Sequence, residues 1–289
     1  MSPVHNLSCK SALNKLKRSE PYGWDLNPYR GCQHGCVYCY ARYSHQYLGQ
    51  TDFVRDIYVK DGIGEVLERE LSSPKWKGQI INIGGVTDAY QPLEKTKELM
   101  PEILRICLNH ENPIIISTKS SLILRDLELL SALADKTYVN VAVSVTTCDE
   151  ELSRVLEPGA SPVDERFEVL RAFRDTQCSR GLHLMPILPY LTDSTENLEG
   201  IFSAAKEAEV DYALCGTLYL RGQTKDQFLA WLKEYKPSHF VDYLRLYYHG
   251  SLDKSYKNEL YKRVGHLRET YGVGSDYASV MRERLSDDR

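Results

Sequence analysis

Short strand-forming runs alternate with amphipathic stretches along nearly the whole chain, and this alternation constrains the fold more than any other feature. The strand-like runs fall at 24–29, 79–83, 113–117, 138–145, 181–188 and 211–217. Between them, stretches at 63–72, 96–110, 122–135, 164–176, 195–208 and 225–235 carry apolar residues at helical spacing. Thr195, followed by Asn197 and Glu199, marks one helix start. Such βα units predict an α/β fold with a parallel sheet and outer helices. Six units either curl into an incomplete barrel or lie open as a doubly wound sheet, and periodicity alone does not choose. The 289 residues are many for one ordinary domain but suit a single α/β barrel. No Pro/Gly/Ser linker and no internal repeat divides them. The charged, tyrosine-containing tail at 254–289 is expected to begin as helix and fray at its end.

Hydrophobic residues make up 42% and charged residues 26%, the mix of a chain that buries a real core. The net charge of −4 provides no global field towards nucleic acid or an anionic membrane, although a local basic groove is compatible with it. The tract KSALNKLKR at 10–18 fits such a groove and fits a solvated helix face equally well. The first twenty residues lack an apolar signal region, and no run approaches ~18 apolar residues, so a cytoplasmic location is expected. In that reducing compartment the eight cysteines are not a disulfide framework. Cys9, Cys107, Cys148, Cys178 and Cys215 are scattered singly, as buried small hydrophobes are. Only Cys32, Cys36 and Cys39 cluster.

Polar residues gather just after the predicted strands: GGVTDAYQPLE at 84–94, STKS at 117–120, SVTTCDE at 144–150 and PILPYLTDS at 186–194. In parallel α/β proteins this rim carries the chemistry. The cysteine loop, GCQHGCVYCYAR at 31–42, follows the first strand. Three thiolates suit zinc, copper(I) or an iron–sulfur cluster. Zinc would need a fourth ligand, for which His34 is at hand, but the spacing is not a zinc-finger pattern. A redox dithiol of Cys36 and Cys39 leaves Cys32 unexplained. A cubane cluster normally takes four cysteines, so three leave one iron open to bind and reduce something.

The spacing Cx3CxxC with an aromatic before the last cysteine resembles the signature of radical S-adenosylmethionine (SAM) enzymes. RGCQHGCVYCYAR, TDAYQPLE, STKSSLILRD and LEPGASPVDER are similar to the branch containing spore photoproduct lyase and its paralogues, over about residues 11–194. The resemblance implies a partial (β/α)6 TIM-like barrel of parallel strands with outer helices. It divides the chain into an N-terminal extension (1–22), a radical SAM core (23–220) and a C-terminal helical segment closing the substrate side (221–289). It also implies a [4Fe–4S] cluster on Cys32, Cys36 and Cys39, with SAM chelating the open iron. Reductive cleavage of SAM then gives a 5′-deoxyadenosyl radical that takes hydrogen from a substrate the sequence does not name. The implied partners are a reductant such as flavodoxin or ferredoxin and a small molecule, peptide or nucleotide, with nucleic acid not favoured and no membrane.

Carried onto this chain, the resemblance gives Gly84 and Gly85 close backbone approach to the methionine amino group. Lys119 would pair with the methionine carboxylate, Ser144 with the ribose and Tyr38 with adenine. Asp88, Tyr90 and Gln91 would point at substrate, and Cys148 and Cys215 would be hydrogen-atom donors if they met the cavity. Glu157 and Arg166 match the branch but are equally explained as an ion pair. Two other classes remain as alternatives: a lesion-repair lyase and a non-catalytic iron–sulfur carrier. Against the lyase, aligning INIGGVTD on its donor-cysteine segment puts Gly85 where that cysteine would stand.

Overall fold

The computed structural model describes residues 4–17, 21–49 and 52–287. Arg18 of the basic tract and residues 288–289 of the tail lie outside the described residues. The first elements are β1 (Val4–Ser8), β2 (Leu13–Lys15), β3 (Trp24–Leu26), β4 (Tyr29–Arg30) and β5 (Ile57–Asp61). Then come α1 (Ile63–Leu71), β6 (Ile81–Ile83), α2 (Glu94–Lys97), α3 (Leu99–Asn109), β7 (Ile114–Thr118) and α4 (Leu127–Ala134). β8 (Val139–Ser144), α5 (Glu150–Leu156), α6 (Val163–Ala172), β9 (Ser179–Ile187), α7 (Thr195–Glu207) and β10 (Tyr212–Thr217) follow. The chain closes with α8 (Gly222–Tyr235), α9 (Phe240–Leu246), α10 (Lys254–Tyr271) and α11 (Tyr277–Asp287).

β3, β6, β7, β8, β9 and β10 lie side by side in chain order and all run parallel, with β2 antiparallel on the β3 edge. Strand order without reversal is that of a curled (β/α)6 sheet, not a doubly wound one. β10 and β2 form the two ends of the sheet order, so the barrel is partial. A second sheet, β1-β5-β4, stands beside the cysteine loop.

The period of two along each strand sorts its side chains. Ile81, Ile83, Ile114, Ile116, Val139, Val141, Val143, Leu182 and Leu184 point outwards into the main core under the helices. Asn82, Ile115, Ser144, His183, Tyr212 and Leu214 point inwards to a cavity.

Several boundaries differ from the sequence reading. The run 24–29 breaks into β3 and β4 at Asn27-Pro28, since proline has no N–H for the ladder. Within the expected N-terminal extension, β1 and β2 each join a sheet. The helix expected at 96–110 is interrupted by Glu98, held at φ 49° between α2 and α3. The one at 122–135 opens as a 3-10 turn, Ser121–Asp126, capped by Ser120. α7 is capped by Ser194, one residue before the expected start. β1, β5, α5 and α9 had no counterpart in the sequence reading, although Asp149 caps α5 by accepting from Glu151 and Leu152 N–H.

α10 packs on α7 in the outer layer, whereas α8 and α9 lie at one end of the barrel and α11 at the other. Phe228, Leu232, Tyr243 and Tyr247 of α8 and α9 and the following turn pack with Val37 and Tyr38 of the cysteine loop. Met281 and Tyr277 of α11 pack instead on Ile80, Ile115 and Tyr138, at the strands' N-terminal ends. α8 and α9 thus lie on the side that the sequence reading gave to 221–289, and α11 lies at the other end.

Candidate cofactor site at the C-terminal ends of the strands

The cavity inside the sheet measures about 500 Å³, within the range of small-molecule sites. The cysteine loop forms one wall. Gly31, at φ 87°, makes the tight entry, where a Cβ would stand 2.9 Å from Phe53 O and Ile57 Cδ1. Cys32 N–H donates to Phe53 O and Val37 N–H to Leu156 O, both at 3.0 Å, so the loop is pinned on both flanks. Cys32, Cys36 and Cys39 all line the cavity. Burial pushes the three thiols up, Cys36 to about 12. Lys119 pulls Cys36 and Cys39 back, whereas Asp88 raises Cys32 further. Such thiols become thiolates when a metal replaces the proton. Among the described residues no three His, Cys, Asp or Glu side chains gather as the ligands of a single ion would. Thiolates on separate irons of one cluster stand further apart, which suits this donor set.

The other expected cofactor residues surround the same space. Gly84, Gly85, Lys119, Ser144 and Tyr38 all line it. Gly84 is held at φ 91°, its N–H donating to Leu26 O at 2.9 Å. Lys119 Nζ lies 5.9 Å from the Tyr38 ring centroid. Tyr38 is buried, its hydroxyl bonded to Glu157.

Glu157 and Arg166 form a buried ion pair that ties these parts together. Arg166 also donates to Ser144 O at 3.1 Å, to Ser161 O at 2.7 Å and to Ser153 Oγ at 3.3 Å. Thr146 Oγ1 donates to Glu157 at 3.2 Å, and Ser161 N–H to Lys119 O at 3.0 Å. Burial opposes ionisation of Glu157, but Arg166 and Lys119 hold its carboxyl below the ordinary value. Gly159 packs on the cysteine loop so closely that a Cβ would overlap Gln33 O.

The expected substrate-facing residues are distributed differently. Asp88 lines the cavity but is fully engaged: His34 Nδ1 at 3.3 Å, Thr118 Oγ1 at 2.7 Å and Lys119 N–H at 2.9 Å. Burial works against its charge, yet these partners hold the carboxyl down to about 2. Asp88 thus braces the cysteine loop against the Lys119 strand end. Tyr90 faces the main core, fully buried, with Asp126 near its hydroxyl. Gln91 is also fully buried, bonded to Gln33 N–H, Gly31 O and Thr87 Oγ1. Neither points at a substrate, because the turn after Asp88 carries the chain back into the protein.

The two candidate hydrogen-atom donors also lie elsewhere. Cys148 is exposed at the start of α5, and its Sγ would meet a Cβ on Gly200 of α7 at 3.3 Å. Cys215 points outwards because Leu214 and Gly216, its neighbours on β10, point inwards. Arg268 Nη2 lies 3.2 Å from the Cys215 sulfur. At position 85 a Cβ would stand 2.5 Å from both Asp25 carboxylate oxygens, so a side chain there would require Asp25 to shift.

Sequence reasoning passed over His183 and Tyr212. His183 Nε2 is enclosed and without a partner, and burial with the Lys119 charge lowers its pKa to about 4. Both residues face the cavity by strand parity, a signal readable only once the register is known.

No described helix is long and apolar enough to cross a membrane. The chain is 36% identical over 279 residues to an uncharacterized protein of Mycobacterium bovis, covering 94% of this chain and 82% of that one. It is 29% identical over 236 residues to an uncharacterized protein of Acidianus two-tailed virus, covering 73% of each. Among solved structures, spore photoproduct lyase complexed with dinucleoside spore photoproduct superposes with a TM-score of 0.69. That match covers 94% of this chain and 80% of the lyase at 13% identity, so it shows a shared fold. The Radical SAM superfamily matches residues 26–200, from β3 to the middle of α7, which includes the cysteine loop and four of the five remaining barrel strands. The chain belongs to the Radical SAM superfamily.

Proposed function

We propose that Cys32, Cys36 and Cys39 hold a [4Fe–4S] cluster and that Gly84, Gly85, Lys119, Ser144 and Tyr38 hold SAM beside it. The observation that carries this reading is the placement of three thiols on one wall of a cavity that these five residues also line. When bound, the pair supplies one-electron cleavage of the sulfonium and hydrogen abstraction from a substrate. The chain's own residues prepare the site. Asp88 fixes the Lys119 backbone, so that the ammonium faces the cavity as a point charge. Arg166 ties up the Ser144 carbonyl and leaves its hydroxyl to the cavity. Ile115, Leu214 and Tyr212 supply apolar surface that excludes water from the reacting atoms.

The core is 23–220, and the segment 221–289 divides its work, with α8 and α9 beside the loop and α11 at the far end. A low-potential one-electron donor such as flavodoxin or ferredoxin is the partner this chemistry needs. The substrate stays unassigned, and the reading does not extend to lesion repair, because Gly85 carries no thiol and neither Cys148 nor Cys215 lines the cavity. Anaerobically reconstituted protein given dithionite and SAM should release 5′-deoxyadenosine. A fully loaded cluster that releases none would overturn the enzymatic reading and favour a carrier. Efficient repair of a synthetic spore-photoproduct dinucleotide would overturn the exclusion of lesion chemistry.

A further inference from the structure

Arg42 stands in the 3-10 helix Tyr40–Leu48, which follows directly from the third loop cysteine. It is only 8% exposed. A guanidinium taken out of water needs an anion or a full set of acceptors, and an isolated buried charge costs several kcal/mol. Among the described residues no carboxylate comes within ion-pair distance of Arg42. Asp52 feels its charge, but that carboxylate is bonded to the backbone N–H groups of Val54 and Arg55. Arg42 Nη2 donates to Cys36 O at 3.3 Å, and Nε is buried without a partner. The guanidinium carbon lies 5.8 Å from the Phe53 ring centroid, a contact worth less than the burial costs. Phe53, Cys36 and Cys39 all line the cavity. The cation is therefore buried against the wall where the thiols stand, with Asp52 acting on it only from beyond ion-pair distance and Cys39 also within reach of its charge.

A cubane cluster held by three thiolates is a net anion, and reduction adds one more negative charge. We infer that Arg42 is the built-in counter-charge of the cluster, a positioning residue that makes the cluster easier to reduce. This rests on the cluster reading above. The electron comes from the low-potential donor already named and stays on the cluster; no bond changes at Arg42. The guanidinium is always charged, so its effect does not depend on pH in the working range. It attracts the reduced cluster more strongly than the oxidised one and so favours electron uptake. Removing it would also leave the Cys36 carbonyl without that donor, adding to the shift in the same direction.

The test uses the full chain with Arg42→Gln and Arg42→Lys, reconstituted anaerobically beside the wild type. Iron is counted, and the midpoint potential is read from the paramagnetic signal of the reduced cluster during a redox titration. Arg42→Gln should disfavour reduction by at least about tenfold, which is ~59 mV more negative for a one-electron couple. Arg42→Lys, which keeps the charge, should show less than half that shift. Equal potentials for the Gln variant and the wild type at equal iron content would overturn the inference. So would a Lys variant that shifts as far as Gln, because packing and not charge would then be the cause. If the Gln variant takes up no iron, the Lys variant decides. Loading at the wild-type potential upholds the counter-charge, and failure to load, or a shifted potential, overturns it. A wild type that takes up no iron would instead defeat the cluster reading beneath.

Discussion

The two ends of the barrel are built from different materials. At the strands' C-terminal ends, His34, Asp88, Thr118, Lys119, Ser161, Arg166, Glu157 and Tyr38 form one connected polar network around the cysteine loop. At the N-terminal ends, Ile115, Tyr212 and Tyr277 line the cavity with mainly aromatic and aliphatic surface, and Ile80, Tyr138 and Met281 pack beside Ile115 and Tyr277. Tyr277 of α11 meets Tyr212 there, with ring centroids 5.4 Å apart. A network of charges fixes atoms in place because each member is costly to leave unpaired. An apolar plug fills volume and tolerates adjustment. The contrast teaches that cofactor geometry depends on the first end and the shape of the far cavity on the second.

The sharpest way to break this contrast is to remove a loop thiol. Cys32→Ala, Cys36→Ala or Cys39→Ala should abolish both the brown cluster absorbance and 5′-deoxyadenosine release. Cys148→Ala and Cys215→Ala should keep both, since neither thiol reaches the cavity. Loss of the cluster in either of the latter would mean that the ligand set is misassigned.

Breaking the buried pair comes next. Arg166→Met leaves Glu157 buried without its partner and should cost about 3–5 kcal/mol in urea unfolding. Adding Glu157→Leu should recover much of that stability, because a neutral pair removes the uncompensated charge. If the double variant is no more stable than Arg166→Met, the network is not held by charge pairing.

Lys119→Ala should weaken SAM binding by roughly 1–3 kcal/mol, with Ser144→Ala milder, in calorimetry on protein with an intact cluster. Unchanged affinity in both would move the cofactor to another wall.

His183 gives a pH test between the two ends. Its folded pKa of about 4 lies below the ordinary 6.5, so the unfolded chain binds the extra proton first. Its contribution is fully present above pH 6.5 and is lost as pH falls towards about 4. His183→Gln should flatten the decline in stability across that window; an unchanged slope would place the ring in a wetter setting.

The smallest effect is expected at the plug. Tyr277→Ala should cost about 0.5–1.5 kcal/mol for the ring pair and leave cluster absorbance and SAM affinity as they were. A change in SAM affinity would join the two ends into one functional unit.

The alternation of strand and helix periods was legible because each period repeats within a few residues. It predicted a parallel sheet with outer helices but not the order of its strands, which the sheet topology alone shows to follow the chain. The loop Cys32, Cys36 and Cys39 was legible for the same reason: its three thiols are neighbours in sequence. Direction was harder. Cys215 and Tyr90 have the right chemistry, but strand register turns one outwards and the return of the chain buries the other. Glu157 and Arg166 read equally well as a structural ion pair with no tie to the site until the fold brought Tyr38, 119 residues before Glu157 in the chain, onto the same carboxylate.

The sequence by itself determined the α/β fold class and the clustering of three cysteines in one loop, both of which rest on short-range spacing. Only the tertiary structure decided which polar groups share the cavity, that Asp25 lies against Gly85, and that Arg42 is buried with no carboxylate among the described residues at ion-pair distance. Those facts depend on sheet register and on contacts between distant segments, and no local pattern encodes either.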